Sequence, residues 1–510
     1  MTRLGFALLS DSCIGCHACT VACKSEHDVP LGVNRTWVKY IETGEFPNTG
    51  RSFSVMRCNH CDDAPCITIC PTSALFRADN GVVDFDDARC IGCKSCMNAC
   101  PYDAIYINPA TNTAHKCNFC NHRVEVGLEP ACVVVCPTQA IVTGDLDDPD
   151  SPVSKIVARD KTAVRAPEQG TDPKVFYRGV DQASLDPTRT AIRNDGLIWA
   201  DTTPDHPTLT PTMQAHAGPG IVARTTYTTA HHLTWQSKVS GYLVTKAIAA
   251  GLMLFAALLV AMGHGSEQAA VGVVPPVLAG VFTAITGALL IADLKQPSRF
   301  LFILTKSNTR SWLVRGAWIL GAFAAVVAVW GLAGIADAGG VLAVLALPTA
   351  VLAAAVAGYT AFLFGQCEGR DLWQTPLLLP ILLAQAVVAG GAAFSMLDLL
   401  MDVPEIRSIR IAFLAGIGAL ALLIASELWS KGSRHVELAT LEMTRGAYAT
   451  EFWWGGVGVG LVVPAGLLTA SLAIDDASPS TAAAAGVAGL IGLFTYEDAY
   501  VRAGQSVPLS

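Results

Sequence analysis

The sequence predicts two unlike halves, a small α+β domain built around cysteine followed by an all-α bundle of eight transmembrane helices. Two observations carry this. Sixteen of the seventeen cysteines fall in the first 136 residues, in four quartets, and residues 236–510 consist of long apolar runs. With 52% hydrophobic and 15% charged residues, the chain is too apolar for an ordinary soluble protein. At 510 residues more than one domain is expected. The divisions fall at 1–150 for the cysteine domain, 151–235 for a polar covering segment and linker, and 236–510 for the membrane domain. A net charge of −8 is mild and points away from nucleic acid as a partner.

The quartets read Cys13-x2-Cys16-x2-Cys19-x3-Cys23, Cys58-x2-Cys61-x4-Cys66-x3-Cys70, Cys90-x2-Cys93-x2-Cys96-x3-Cys100 and Cys117-x2-Cys120-x11-Cys132-x3-Cys136. Pro71, Pro101 and Pro137 directly follow three of them. Such runs hold [4Fe–4S] clusters in two-cluster ferredoxins. Zinc knuckles usually come as two pairs separated by a longer loop, whereas a tight triplet with a fourth cysteine three residues on suits the corners of a cubane. Disulfides suit an exported chain. The start, Met1-Thr-Arg-Leu-Gly-Phe, runs to Cys13 without a twin arginine, a long apolar stretch or a cleavage site, so no export signal is expected.

In two-cluster ferredoxins the fourth cysteine of one run ligates the other cluster. Paired ferredoxin-like units follow. The inner unit takes Cys58, Cys61, Cys66 and Cys100 for one cluster and Cys90, Cys93, Cys96 and Cys70 for the other. The outer unit takes Cys13, Cys16, Cys19 and Cys136, then Cys117, Cys120, Cys132 and Cys23. No position in the quartets is replaced, so four complete [4Fe–4S] clusters are expected. Spacing does not order them along a wire.

The four-run layout, with CNHCDDAPCITICPTSAL at Cys58–Leu75, CIGCKSCMNACPYDAI at Cys90–Ile105, KCNFCNHRVEVGLEPACVVVCPTQAI at Lys116–Ile141 and GDLDDPDSPVSKI from Gly144, resembles the electron-transfer (beta) subunits of the dimethyl-sulfoxide-reductase superfamily. The resemblance covers residues 1–180. It implies four clusters relaying electrons between a separate molybdenum- or tungsten-pterin catalytic subunit and a membrane subunit.

Eight apolar stretches are long enough to cross a bilayer, near 239–262, 271–292, 312–335, 340–366, 375–396, 408–430, 452–474 and 481–500. On the side of the cysteine domain lie Lys238, Lys295, Arg299, Lys306, Arg310, Arg370, Lys431, Arg434, Arg445 and Arg502, against Arg407 and Arg410 with the acids Glu267, Asp337, Asp475 and Asp476 opposite. This bias places the cysteine domain in the cytoplasm of a bacterial or archaeal cell, on its plasma membrane.

None of the eleven histidines falls well inside a span, with His231, His232 and His264 outside or at an end. Axial haem ligands are therefore not expected and the membrane half should hold no haem. Without haem, a lipid-soluble quinone must come to the Fe–S side. Ionisable groups within spans are costly and functional, and Lys246, Asp293, Arg315, Glu427, Glu497 and Asp498 all fall near that face, with Tyr242, Tyr359 and Gln366. Tyr242, Asp293 and Tyr359 are the candidate quinone-pocket residues, and Lys246, Arg315, Gln366, Glu427 and Glu497 the candidate quinone or proton groups. Gln385 reads as a lone polar group mid-span, and Cys367 as an inert thiol.

ADLKQPSRFLFILTKSNTRSWLVRGAW at Ala292–Trp318, GYTAFLF from Gly358, FWWGGVGVGLVVPAGL from Phe452 and AGQSVPL at Ala503–Leu509 resemble the polysulfide-reductase (NrfD-like) membrane subunits. That resemblance implies an eight-helix, haem-free domain binding quinone beside the Fe–S subunit. Tyr359 matches a family tyrosine near the quinone, and Asp293 belongs to a D-L-x-x-P-x-R-F run. Tyr242 falls near a first-helix histidine of some members.

The combined expectation is a fused electron wire and quinone-reactive anchor, served by ubiquinone or menaquinone, membrane lipid and a pterin-type catalytic partner. Formate or sulfite oxidation is the favoured chemistry, with no net charge moved across the bilayer. A nickel–iron hydrogenase partner, or an anchor without a quinone site, are the rival readings.

Overall fold

The computed structural model describes residues 2–192, 223–229, 233–430, 432–473 and 479–510. His231, His232, Lys431, Asp475, Asp476 and much of the expected linker lie outside them. The strands are β1 (Leu4–Leu9), β2 (Thr36–Glu45), β3 (Asn48–Arg57), β4 (Leu75–Arg77), β5 (Val83–Phe85), β6 (Ile105–Asn108), β7 (Thr113–Lys116), β8 (Ile141–Asp145), β9 (Thr162–Ala163), β10 (Val175–Arg178), β11 (Ala191–Ile192) and β12 (Arg224–Tyr227).

The cysteine runs dictate how these strands are used. β1 precedes the first run and β8 follows the fourth, and the two pair antiparallel from Leu4↔Asp145 to Leu8↔Ile141. The outer runs are thereby closed on each other. The hairpins β4–β5 and β6–β7 follow the second and third runs and form the inner unit. In each run the third cysteine sits in a short helix, Ala18–Glu26, Pro65–Ile69, Ser95–Ala99 or Ala131–Val134.

One backbone device repeats four times. The residue before the second cysteine has a left-handed conformation in every run: Gly15 (φ 70°), His60 (φ 46°), Gly92 (φ 67°) and Phe119 (φ 62°). Alternating hands curl successive N–H groups inward, a concavity suited to anionic clusters. Glycine adopts this freely, while His60 and Phe119 each give up about 1–2 kcal/mol to it.

The covering segment is more built-in than its composition predicts. β9 and β10 extend the sheet β8–β1–β10–β9, with β10 parallel to β1, and β12 pairs with β2 in the sheet β11–β12–β2–β3. Short strands of two to four residues carry too little periodicity to be read from sequence.

Among the described residues eight helices are long and apolar enough to cross a membrane: Ser237–Ala261, Gln268–Asp293, Trp312–Ile335, Gly339–Gly365, Leu378–Leu397, Ile406–Trp429, Glu451–Ala473 and Pro479–Ser506. They agree with the expected spans to a few residues, except that the eighth continues to Ser506. The first and fifth are the centre of the bundle, with 83% and 72% of their most apolar stretch enclosed. Small residues let backbones close up where lipid offers no hydrophobic drive. A Cβ on Gly251 of the first helix would lie 2.2 Å from the Ala386 carbonyl of the fifth, and one on Gly492 of the eighth 1.9 Å from Gly460 Cα of the seventh.

Two expectations about the membrane half are corrected. Gln385 is not alone, because its amide donates to Glu497 Oε1 at 2.6 Å. Arg410 is not a loop cation. It lies within the sixth helix, 9% exposed, and pairs with Asp398 at 2.6 Å, so the far half of the bundle holds a buried ion pair.

The two halves are joined by specific hydrogen bonds. Lys295 N donates to Gly92 O and Gln296 N to Ile91 O, both at 3.1 Å. Arg299 donates to Asp87 O and Cys90 O, Asn308 to Cys70 O, and Arg370 to Asn98 Oδ1. A Cβ on Gly92 would sit 2.6 Å from Lys295 Cβ, so this glycine permits the docking as well as the turn.

Candidate functional site

Three small cavities each have four cysteines in their walls: Cys13, Cys16, Cys19 and Cys136; Cys58, Cys61, Cys66 and Cys100; Cys70, Cys90, Cys93 and Cys96. The remaining four also come together, since Cys117, Cys132 and Cys120 all act electrostatically on Cys23. The structure thus groups the cysteines as the crossed pairing expects.

Burial first, and neighbouring cysteines after it, push the Cys19 thiol up to about 11 and the Cys61 thiol up to about 12. Four thiolates crowded into one dry pocket need a cationic core. Backbone N–H groups already point at the sulfurs: Gly92 and Ala114 to Cys90 Sγ, both at 3.4 Å, and Ala140 to Cys136 Sγ at 3.2 Å. His27 Nε2 lies 3.1 Å from Cys120 Sγ. Four sulfur donors around one void, with N–H groups supporting them, fit an iron–sulfur cubane.

The sets also fall into an order that spacing left open. Cys16 is exposed, which marks the outer end. Cys132 of the next set acts on Cys19 of that set, Cys58 of the third on Cys117 of the second, and Cys66 of the third on Cys96 of the fourth. The fourth set, Cys70 with Cys90, Cys93 and Cys96, abuts the membrane domain. Trp235, stacked on Phe364 and Trp373, donates its indole N–H to Cys93 O at 3.3 Å. Cys367 is buried close to Cys93, and burial pushes its thiol up.

The candidate quinone residues are divided among several places. Tyr242, Lys246 and Tyr359 are 1–4% exposed and gather around Thr360. Lys246 Nζ donates to Thr360 Oγ1 and stands 4.8 Å from the centre of the Tyr359 ring, with Thr360 close to both tyrosines. Glu497, held by Gln385, feels the Lys246 charge. Glu427 is a neighbour, accepting from Tyr500 at 3.4 Å. Asp498 binds Ser240 and Arg502.

Asp293 lies elsewhere. It pairs with Lys94 of the third cysteine run at 2.8 Å, in the wall of a cavity of 680 Å³ between the two domains. Gln236, Lys238 and Lys295 share that wall with Tyr106 and Asp103. Arg315 and Gln366 join neither group. Arg315 is exposed and bonds Thr309 O, while Gln366 ties Trp312 N to Arg310 O. Lys94, Thr360 and Tyr500 went unread in the sequence. Lys94 looks like a spacer between ligands, and the other two carry no charge to flag them.

These features define an electron-transfer domain of iron–sulfur type joined in one polypeptide to an eight-helix membrane domain. This protein belongs to the family described as Polysulphide reductase, NrfD, which matches residues 226–507. A 4Fe-4S dicluster domain matches residues 51–146 and a 4Fe-4S binding domain residues 10–29. The B subunit of tetrathionate reductase from Salmonella typhimurium is 44% identical over 191 residues, 36% of this chain and 76% of the relative. The thiosulfate reductase electron transfer subunit PhsB of Salmonella typhi is 47% identical over 148 residues, 28% and 77%. The arsenate respiratory reductase iron-sulfur subunit ArrB of Shewanella sp. is 37% identical over 225 residues, 34% and 95%. Both resemblances drawn from the motifs therefore hold. These relatives are named for reductases, and their names give no support to formate or sulfite oxidation.

Proposed function

We propose that this chain is the electron-carrying, quinone-reactive subunit of a reductase complex whose substrate chemistry lies on a separate molybdenum- or tungsten-bis-pterin subunit. The observation that carries the reading is the ordered series of four cysteine sets, exposed at Cys16 and abutting the membrane helices at Cys93. The ligands of each [4Fe–4S] cluster are the four cysteines of each set, and the clusters supply one-electron transfer when bound.

The catalytic partner docks at the exposed end. There Ile14, Val21, Val134 and Val135 are 41–64% exposed, two of them on the helices Ala18–Glu26 and Ala131–Val134 that pack together beside Cys16. The reductase names of the relatives favour electron flow from quinol outward, to an oxidised sulfur or arsenic compound. Lys306, Arg310, Arg434, Arg445 and Arg502 favour a cytoplasmic Fe–S domain in a bacterial or archaeal plasma membrane. Purification through a tag on this chain tests the partner: a pterin-type subunit is the expected companion, and a hydrogenase large subunit would overturn the assignment.

The quinone head binds in the 680 Å³ cavity, a size suited to a small ligand. Lys94 and Asp293 stand in its wall and Lys94 follows Cys93, so the head lies beside the last set. Quinol oxidation releases two protons and two electrons. Asp293 takes the proton of one hydroxyl while Lys94 orients its carboxylate, the second proton leaves to water, and the electrons would pass one at a time to the cluster held by Cys70, Cys90, Cys93 and Cys96. Asp293→Asn is expected to lower quinol-linked turnover about 10²-fold, with dye-linked turnover of the assembled complex unchanged. Wild-type quinol turnover in that variant would remove the quinone from this cavity. Tyr359→Phe, packed against Gly316, is expected to change the same rate less than Asp293→Asn does.

A further inference from the structure

Arg57 ends β3 and immediately precedes Cys58, yet its guanidinium serves other cysteines. It is fully buried, at 0% exposure. One nitrogen donates to Cys132 Sγ at 3.4 Å, and the guanidinium carbon lies 4.2 Å from the centre of the Phe6 ring. Its Nε and remaining terminal nitrogen meet no hydrogen-bond acceptor. Among the described residues no carboxylate pairs with it. The groups that act on its charge are Cys132, Cys117 and Cys19, and it acts in turn on Cys23.

A cation buried without a carboxylate is costly. Lys116 shows the contrast. It is equally buried, but its ammonium donates to the carbonyls of Val83 and Cys117 and is a satisfied structural pin. Arg57 has three sulfur neighbours and an aromatic face instead. Its counter-charge is supplied by the outer two cysteine sets once they hold iron, since a [4Fe–4S] core with four thiolates is a net anion. Uptake of one electron from a neighbouring cluster adds one negative charge and breaks no bond. A fixed cation at that distance favours the reduced form, most strongly for the set that contains Cys132.

We propose that Arg57 is a potential-setting residue, which raises the reduction potential of the cluster held by Cys23, Cys117, Cys120 and Cys132. The inference rests on the cluster reading above. In a series of stations, the second from the outside is thereby kept easy to reduce from the membrane side. A guanidinium is suited to this because it stays protonated throughout.

The test is a redox titration of the full chain, purified in detergent and followed by electron paramagnetic resonance, with iron and sulfide assayed on the same samples. Wild-type protein without iron–sulfur signals would overturn the cluster reading itself, independently of Arg57. Given those signals, Arg57→Gln with full iron content is expected to shift the reduction equilibrium of one cluster about tenfold toward oxidised, close to 59 mV for a one-electron couple. Arg57→Lys, which keeps the charge, is expected to stay nearer wild type. Unchanged potentials in Arg57→Gln, or an equal shift in Arg57→Lys, would overturn the proposal. If Arg57→Gln fails to hold iron, wild type labelled with 15N-arginine decides. A nitrogen coupling on a reduced cluster that disappears in Arg57→Lys supports the role, and its absence from wild type refutes it.

Discussion

Cys96→Ser is expected to abolish quinol-linked turnover of the assembled complex, to background, while dye-linked turnover of the catalytic partner persists. Cys96 is buried in the helix Ser95–Ala99 and belongs with Cys70, Cys90 and Cys93 in the set against the membrane domain. Cys66 of the preceding set acts on it electrostatically. In a series arrangement, loss of the inner station disconnects the quinone but leaves the outer stations served. The outer unit should survive the substitution. It is closed by β1 pairing with β8, whereas Cys96 lies between the hairpins β4–β5 and β6–β7. Cluster counting on the variant checks this separation. Quinol turnover that survives with one cluster missing would mean that electrons enter the series elsewhere, and the proposed order would fall.

Three ligands of each set were legible because their spacing is local: a helix turn and a left-handed residue bring three sulfurs together within one run, while the crossing of the fourth followed from the two-cluster ferredoxin pattern. The order of the sets was not legible, because it depends on how β1 finds β8 across all four cysteine runs. The spans were legible from hydropathy, which reports depth in the bilayer. Hydropathy does not report which way a side chain faces. Arg315 and Lys246 both fall in the half of their helices nearer the cysteine domain, yet one is exposed and the other meets Thr360 from a neighbouring helix. Glu497 and Gln385 meet across 112 residues, which no window of sequence joins.

Charge counting met a different limit. Arg299 and Arg370 count among the loop cations, but both bind carbonyl or amide oxygens of the cysteine domain. They serve the junction between the halves as well as any membrane potential. Fusion of the two domains therefore concentrates cations on one face for a reason separate from orientation. The same junction explains why the eighth helix outlasts its apolar stretch. Gln505, beyond the lipid-facing part, accepts from Thr234 N and Trp235 N at 3.0 Å and donates to Trp235 O, so protein contacts prolong the helix.

Lys246→Met is expected to destabilise the membrane domain by about 1–3 kcal/mol, the usual cost of leaving buried polar groups short of a partner. Lys246 and Glu497 are 1% and 2% exposed and act on each other within the bundle centre. Glu497 has a hydrogen bond from Gln385, but an amide supplies a dipole and not a charge. Methionine would fill the volume, so packing alone predicts a small effect. The double variant Lys246→Met/Glu497→Gln separates the two explanations. If electrostatics dominates, removing the carboxylate restores most of the loss, and the coupling in a double-mutant cycle is large. If packing of Lys246 on Tyr359 and Thr360 dominates, the double variant remains as unstable as the single one. Thermal unfolding of the detergent-solubilised chain, read by the retention of its fold at increasing temperature, distinguishes these outcomes. An unaltered transition in Lys246→Met would show that Glu497 does not depend on the lysine charge, leaving Gln385 as its sufficient partner.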